Sequence, residues 1–377
     1  MASRLRQTFF SIALTAVATS ACHPSVPSVP AAPPPGDHWQ TLDTEPYEGK
    51  RDDIVFASAH VGFYGTGKGD LFRTTDGGDS WLKIWSQPGT FIRAIGFVDT
   101  QNGWLGNVGT EYYPGVTDEV PLYETHDGGE TWAPVDLGGA FVKGICSIDI
   151  VQTKHIHQGV LEPRTLIHAA GRVGGPTAIV RSVDGGEHWN VIDMSKDAGM
   201  ILDVKFIDSN VGFVFAAAPT GAEVEGARIL KTRDGGATWT SVYQSGRPGE
   251  NVWKASFPSA RVGYATVQSY DPEREQQVVV KTTDGGDTWA ELPLVTDAKA
   301  RQFGIGFMDE NTGWVGTMVG GFATGDGGRT WVKTNLTPAS NKFRMRAMDG
   351  TFMPIAIGTS VQRWDVSKDV QPPVDSP

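Results

Sequence analysis

Arg73 to Trp81 reads RTTDGGDSW, and the reading of this stretch decides the fold. An aspartate, two glycines and a tryptophan in nine residues suit a metal loop, a catalytic carboxylate on a tight turn, or an architectural clasp. The stretch is not alone. YETHDGGETW, VRSVDGGEHW, LKTRDGGATW, VKTTDGGDTW and FATGDGGRTW follow the same grammar further along the chain. The aspartates are Asp76, Asp127, Asp184, Asp234, Asp284 and Asp326, at intervals of 51, 57, 50, 50 and 42 residues. Their tryptophans are Trp81, Trp132, Trp189, Trp239, Trp289 and Trp331. A catalytic carboxylate has no reason to occur six times at a near-constant period, whereas a folding unit does.

Working outward, each unit has the same layout before its box, as in FIRAIGFVDTQNGWLGNVG and ILDVKFIDSNVGFVFAAAP. A short run ends in Phe, a polar turn follows, and a second run opens with Gly. A third run then leads into the box, and Trp opens a fourth. Four short strands repeated at this period are the blades of a β-propeller, with the box at the hairpin between the third and fourth strands. The box aspartate accepts hydrogen bonds from its own turn, and the glycines supply positive φ. After the last box, KFRMRAMDGTFMPIAIGTSVQRWDV holds three further strand-like runs and no box, while DHWQTLDTE near the start looks like a fourth strand lacking its three predecessors. Joining them completes a seventh blade and removes the free edges. The expected fold is all-β, a seven-bladed propeller whose last blade is closed by N- and C-terminal strands.

The remaining segments order themselves around this body, residues 37–366. Residues 1–21 carry a basic start at Arg4 and Arg6, an apolar TFFSIALTAVA, and small residues before Cys22. This reads as an export signal too short to span a bilayer. Small residues before a lone cysteine resemble a bacterial lipobox, in which Cys22 is lipidated. Thr19 stands where that motif usually has Leu, and an ordinary cleavage site is the other reading. Residues 22–36 form a Pro-rich tether, and residues 367–377 a disordered tail. The exported protein is expected in the periplasm or outer membrane, touching membrane only through its lipid. The second cysteine, Cys146, sits in apolar GICSIDI and is read as buried and unreactive. The net charge is −11, becoming −13 once Arg4 and Arg6 are removed, which argues against nucleic acid as a partner.

Thr74, Asp76, Gly78, Ser80 and Trp81 match the Asp-box of the bacterial neuraminidase repeat. That motif specifies architecture more than function, since sialidases, xyloglucanases, receptors and assembly factors share it. NGWLGN at Asn102–Asn107, TGWVGT at Thr312–Thr317 and the tails KTTDGGDTW and KTRDGGATW narrow the likeness: the chain resembles the photosystem II stability/assembly factor family. The resemblance implies a propeller without a catalytic centre or cofactor, acting as a monomeric scaffold on a protein partner. The competing class is a sialidase- or xyloglucanase-like glycoside hydrolase, or a glycan-binding lectin. Against a sialidase, Arg93 in FIRAIGF is followed by Ala, so the Arg-Ile-Pro signature of that family is missing. Asp52, Asp53 and Asp203 lie on expected innermost strands and are read as channel or turn acids.

Aligning each first strand on its terminal Phe brings Arg93, Lys143, Trp253 and Arg344 to one level, together with Asp52, Leu202 and Phe303. Side chains there would face the central channel, and the cations would make an anion-attracting mouth for a ligand or partner. His155, His157 and His168 are weighed as a zinc set and set aside in favour of a surface hairpin, so no metal is expected. SYDPEREQQ, Ser269–Gln277, is read as a charged, solvated hairpin tip.

Overall fold

The computed structural model describes residues 36–157, 160–348 and 351–365. The export signal, Cys22, the tail and all of the tether but Gly36 lie outside these residues. Among them there is no helix, and the strands form seven four-stranded antiparallel sheets. Blade one shows the plan: Ile54–Phe56 innermost, then Gly62–Gly65, Asp70–Thr74 and Leu82–Ser86 at the outer edge. Blades two to six repeat it in chain order. Blade seven draws Lys342–Met348, Thr351–Ile357 and Val361–Trp364 from the C-terminal end and takes Trp39–Thr41 as its outer strand. The fold is the expected seven-bladed propeller, closed by the two ends of the chain. Because strands alternate in direction, the first turn and the box turn of blades one to six share one face, and the links between blades lie on the other.

The box is a self-contained knot. In blade one the Ser80 amide donates to Asp76 Oδ1 at 2.9 Å, and the Ser80 hydroxyl donates to Oδ2 at 2.5 Å. Thr74 Oγ1 donates to the same carboxylate at 2.7 Å and accepts from Gly78 N at 2.8 Å. Gly77 and Gly78, at φ 78° and 96°, turn the chain through a region other residues avoid. These donors hold the Asp76 carboxyl well below its ordinary range, led by the Ser80 hydroxyl. Similar contacts recur at Asp127, Asp234, Asp284 and Asp326. At Asp184 the hydroxyl is replaced by a ring, with His188 Nδ1 2.8 Å from Oδ2.

What the box clamps is an aromatic relay. The box tryptophan meets the terminal Phe of its own inner strand edge-on, with centroids 6.1 Å apart for Phe56–Trp81, 6.1 Å for Phe97–Trp132 and 6.2 Å for Phe206–Trp239. The same Phe lies flat over the glycine opening the second strand. A Cβ added at Gly212 would sit 2.5 Å from the Phe206 ring, and one at Gly103 2.6 Å from Phe97. That close approach is why the second run begins with Gly in the blades whose inner strand ends in Phe. The residue after this glycine reaches forward to the next blade: Phe63 stacks on Phe97 at 3.8 Å, Phe213 on Phe257 at 4.9 Å and Tyr264 on Phe307 at 3.6 Å. In blade three the corresponding residue is His168, stacked on Phe206 at 3.5 Å. Closure uses more aromatic surface still. Trp39 packs on Trp314, Trp364 and Phe343 at 5.4, 5.5 and 5.8 Å, and it is 4% exposed. Burying such a ring contributes about 5 kcal/mol before entropy is charged against it.

Candidate functional site

The inner strands converge on a central channel, and their charges are arranged in layers. One layer stands three residues before the end of each inner run and contains Asp53, Asp203, Lys254 and Lys342. Asp203 is fully buried; burial alone would raise its pKa, but Lys254, Lys342 and Lys205 hold it well below the ordinary value. Lys342 Nζ lies 3.2 Å from Asp203 Oδ1 and Lys254 Nζ 3.6 Å, while Ser147 donates to it at 2.6 Å. Asp203 also ties the sheets together, its Oδ2 accepting from Ala255 N at 3.1 Å as Asp53 accepts from Ile95 N at 3.1 Å. Burial in turn pushes Lys342 down to about 8.

The next layer, four residues before the end, is a closed ring. Arg93 pairs with Asp52 and lies 5.1 Å above the Trp253 ring. Trp253 Nε1 donates to Asn341 Oδ1 at 2.7 Å, and Asn341 Nδ2 donates to the Asp52 carbonyl at 2.8 Å. Cys146 packs here with Leu202, Trp253 and Phe303, its thiol buried. Of the residues aligned in sequence, Arg93 and Trp253 do meet, at 2% and 4% exposure. Lys143 and Arg344 do not join them. Lys143 precedes its strand on the opposite face, 3.0 Å from Glu111, and Arg344 lies nearer the box face, donating to Ile54 O at 2.8 Å and Asp53 at 3.0 Å. Cys146 and Asn341 occupy the aligned level in their place. Blades three and seven lack the terminal Phe that anchors the count, carrying Ile150 and Met345 instead.

A second reason is structural. β-bulges interrupt the inner strand between Ile92 and Ala94, Ile201 and Asp203, Val252 and Ala255, and Gln302 and Ile305. An extra residue at this level turns two successive side chains inward, which strict alternation does not allow. The alignment therefore misses Lys254, which shares such a bulge with Trp253, and taking one level per strand it also passes over Lys205 and Lys342. Counting three places back from the strand end would have gathered Asp53, Asp203, Lys254 and Lys342.

At the box face the channel opens into a cavity of about 340 Å³ lined by Lys205, Lys254, Lys342, Arg344 and Ser256. Lys205 and Arg344 keep 27% and 21% of their side chains exposed. Asp149 is 2.6 Å from Lys205, so four cations face three carboxylates, Asp53, Asp149 and Asp203. The mouth is thus locally positive on an acidic chain. The three acids are locked in ion pairs, an arrangement that binds charge and leaves no carboxyl pair poised to act as acid and base. His155 and His168 stand apart, facing Glu162 and Asp149 respectively across their hairpin, and the His157 side chain lies outside the described residues.

No family model matches the chain. It is 26% identical over 187 residues to the photosystem II assembly lipoprotein Ycf48 of Synechococcus sp. (strain CC9902), a match spanning 48% of this chain and about half, 51%, of that relative. Its fold is similar to YCF48 bound to D1 peptide (TM-score 0.58, 16% identity, 94% of this chain and all of that one). It is also similar to YCF48 from Cyanidioschyzon merolae, with a TM-score of 0.62 and 15% identity over 88% of this chain and 99% of that one. A GH74 enzyme of Niastella koreensis shares the fold at TM-score 0.54 and 16% identity, covering 82% of this chain and 51% of the enzyme. The chain is a seven-bladed β-propeller, similar in fold to the solved YCF48 structures over most of its length and in sequence to the Synechococcus photosystem II assembly lipoprotein over about half of it.

Proposed function

We propose that the protein is a non-enzymatic assembly scaffold of the cell envelope, anchored through lipidated Cys22, which holds an acidic segment of a protein partner at the box-face mouth. The observation that carries this reading is the cluster of Lys205, Lys254, Lys342 and Arg344 around a cavity of about 340 Å³. Partly desolvated cations attract a carboxylate more strongly than surface ones do. The solved YCF48 with a peptide bound gives the reading a precedent on the same fold. Arg344 faces the segment directly, Arg93 and Trp253 support the mouth from the ring behind it, and Lys143 would meet the partner from the opposite face. The partner's identity is left to its chemistry: an exposed stretch rich in carboxylates.

The test uses the full chain and a fluorescein-labelled acidic decapeptide, with a basic decapeptide as control. The acidic peptide binds, and Lys205→Ala with Arg344→Ala weakens it at least tenfold. Binding also falls as pH rises through about 8, where Lys342 loses its charge. Undiminished binding by the double variant sinks the reading. A glycosidase or lectin role rests on shared fold alone; hydrolysis of a sialoside or β-glucan by the purified chain would reinstate it. Failure of radiolabelled palmitate to label Cys22 would leave a secreted protein.

A further inference from the structure

The face opposite the boxes carries a second cleft, unlike the first in chemistry. It measures about 510 Å³ and is built by links of blades two, four and five. Tyr112 and Tyr270 stand on its rim, 42% and 53% exposed, above Met200, Pro219 and Pro248. Tyr270 belongs to the Ser269–Gln277 tip, so this loop supplies one wall besides its solvated charges. Glu250 and Asn251 line the cleft and are 4% and 1% exposed.

Both bring an oxygen that has no donor: Glu250 Oε2 and Asn251 Oδ1. A buried acceptor left unpaired costs about 1–3 kcal/mol, more when charged, so two side by side in one cleft ask for a donor from outside. The neighbouring charges do not supply it. Arg247 Nε, at 2.7 Å, and Arg274 Nε, at 3.6 Å, both address Oε1 of Glu250, and Arg247 also bonds Glu291 at 2.7 Å. Glu225 adds a second carboxylate to a lining that contains no lysine or arginine. The aromatic rim favours positive charge as well, for Arg301 already lies 4.8 Å from the Tyr270 ring.

We propose that this cleft is a binding site for a basic side chain, the ammonium or guanidinium of a lysine or arginine presented by a partner, with Glu250 and Asn251 accepting its hydrogen bonds and Tyr112 and Tyr270 flanking its stem. A hydrocarbon stem ending in donors matches an apolar slot ending in bare acceptors. The site is independent of the mouth. With both occupied, a partner carrying acidic and basic segments would engage the two faces separately.

Nα-acetyl-lysine methylamide and Nα-acetyl-arginine methylamide are the probes, titrated against the full chain by ligand-detected NMR, with Nα-acetyl-norleucine methylamide as the neutral control. The cationic probes bind saturably in the millimolar range, and norleucine at least fivefold more weakly. Glu250→Gln and Tyr112→Ala each weaken the cations at least fivefold. Tyr112 is on the exposed rim, so that variant reads the site even where Glu250→Gln disturbs the Arg247 pair. Lys205→Ala leaves cation binding unchanged, which separates this site from the mouth. Equal binding of norleucine reduces the cleft to an apolar slot and overturns the proposal. So does no binding of either cation, or a xyloglucan oligosaccharide that binds where the cations do not.

Discussion

The outer edge of each blade and its inner half are held together in opposite ways. At the edge, the box aspartate is satisfied within seven residues: Asp284 accepts from the Thr282 and Thr288 hydroxyls and from the Asp287 and Thr288 amides, while Thr282 Oγ1 accepts from Gly286 N. At the centre, Lys342 reaches Asp203 across 139 residues of sequence, and Asn341 reaches Asp52 across 289. A local device can be copied six times because its aspartate is satisfied by its own turn, even where a neighbouring blade adds a contact such as Lys231 to Gly285 O. A long-range one is different in every blade, since each ring position has its own neighbours. Shape is therefore carried by repetition and recognition by its breakdown.

The sharpest way to break this contrast is Asp203→Asn. It leaves Lys254 and Lys342 buried without their counter-charge, and the expected loss is about 3–5 kcal/mol in urea unfolding. A loss no greater than that of a box variant would erase the distinction. His168 comes next. Burial pushes it down to about 3 from an ordinary 6.5, so the folded ring stays neutral while the unfolded one takes up a proton. Its contribution is complete above pH 6.5 and declines as pH falls from there towards 3, by an amount on the order of a few kcal/mol. His168→Phe keeps the stack on Phe206 and removes that decline, which stability curves at pH 7.5 and 4.5 would register. Gly212→Ala drives a methyl against the Phe206 ring, at a cost of about 1–3 kcal/mol. The smallest effect belongs to the edge: Asp284→Ala lowers the melting temperature by about 2 °C, and the other box aspartates match it.

The same contrast explains what could be read from the chain. The box, the glycine beneath each Phe and the closing strand at Trp39 were legible because each is a pattern over neighbouring residues. The channel was legible only in part. Arg93 and Trp253 fall where the count from the terminal Phe puts them, but Lys143 and Arg344 do not, since Ile150 and Met345 replace the marker. A bulge then places Lys254 at the channel beside Trp253, where alternation would have sent one of that adjacent pair outward. Orphan acceptors such as Glu250 Oε2 leave no trace in sequence, because only packing reveals that a donor is missing.

Closure by both chain ends has a mechanical consequence. Trp39–Thr41 stands where other blades continue from their box hairpin, with Trp39 opposite Trp364. A pull applied at Gly36 reaches this three-residue strand after only the hydrogen bonds of Asp37 and His38, so peeling soon comes to Trp39. That residue is gripped by Trp314, Trp364 and Phe343. Such a load would meet two hydrogen bonds, at Asp37 and His38, and then the aromatic cluster around Trp39 before it reached the rest of the closing strand, as if a rivet had been set near the end of a leash.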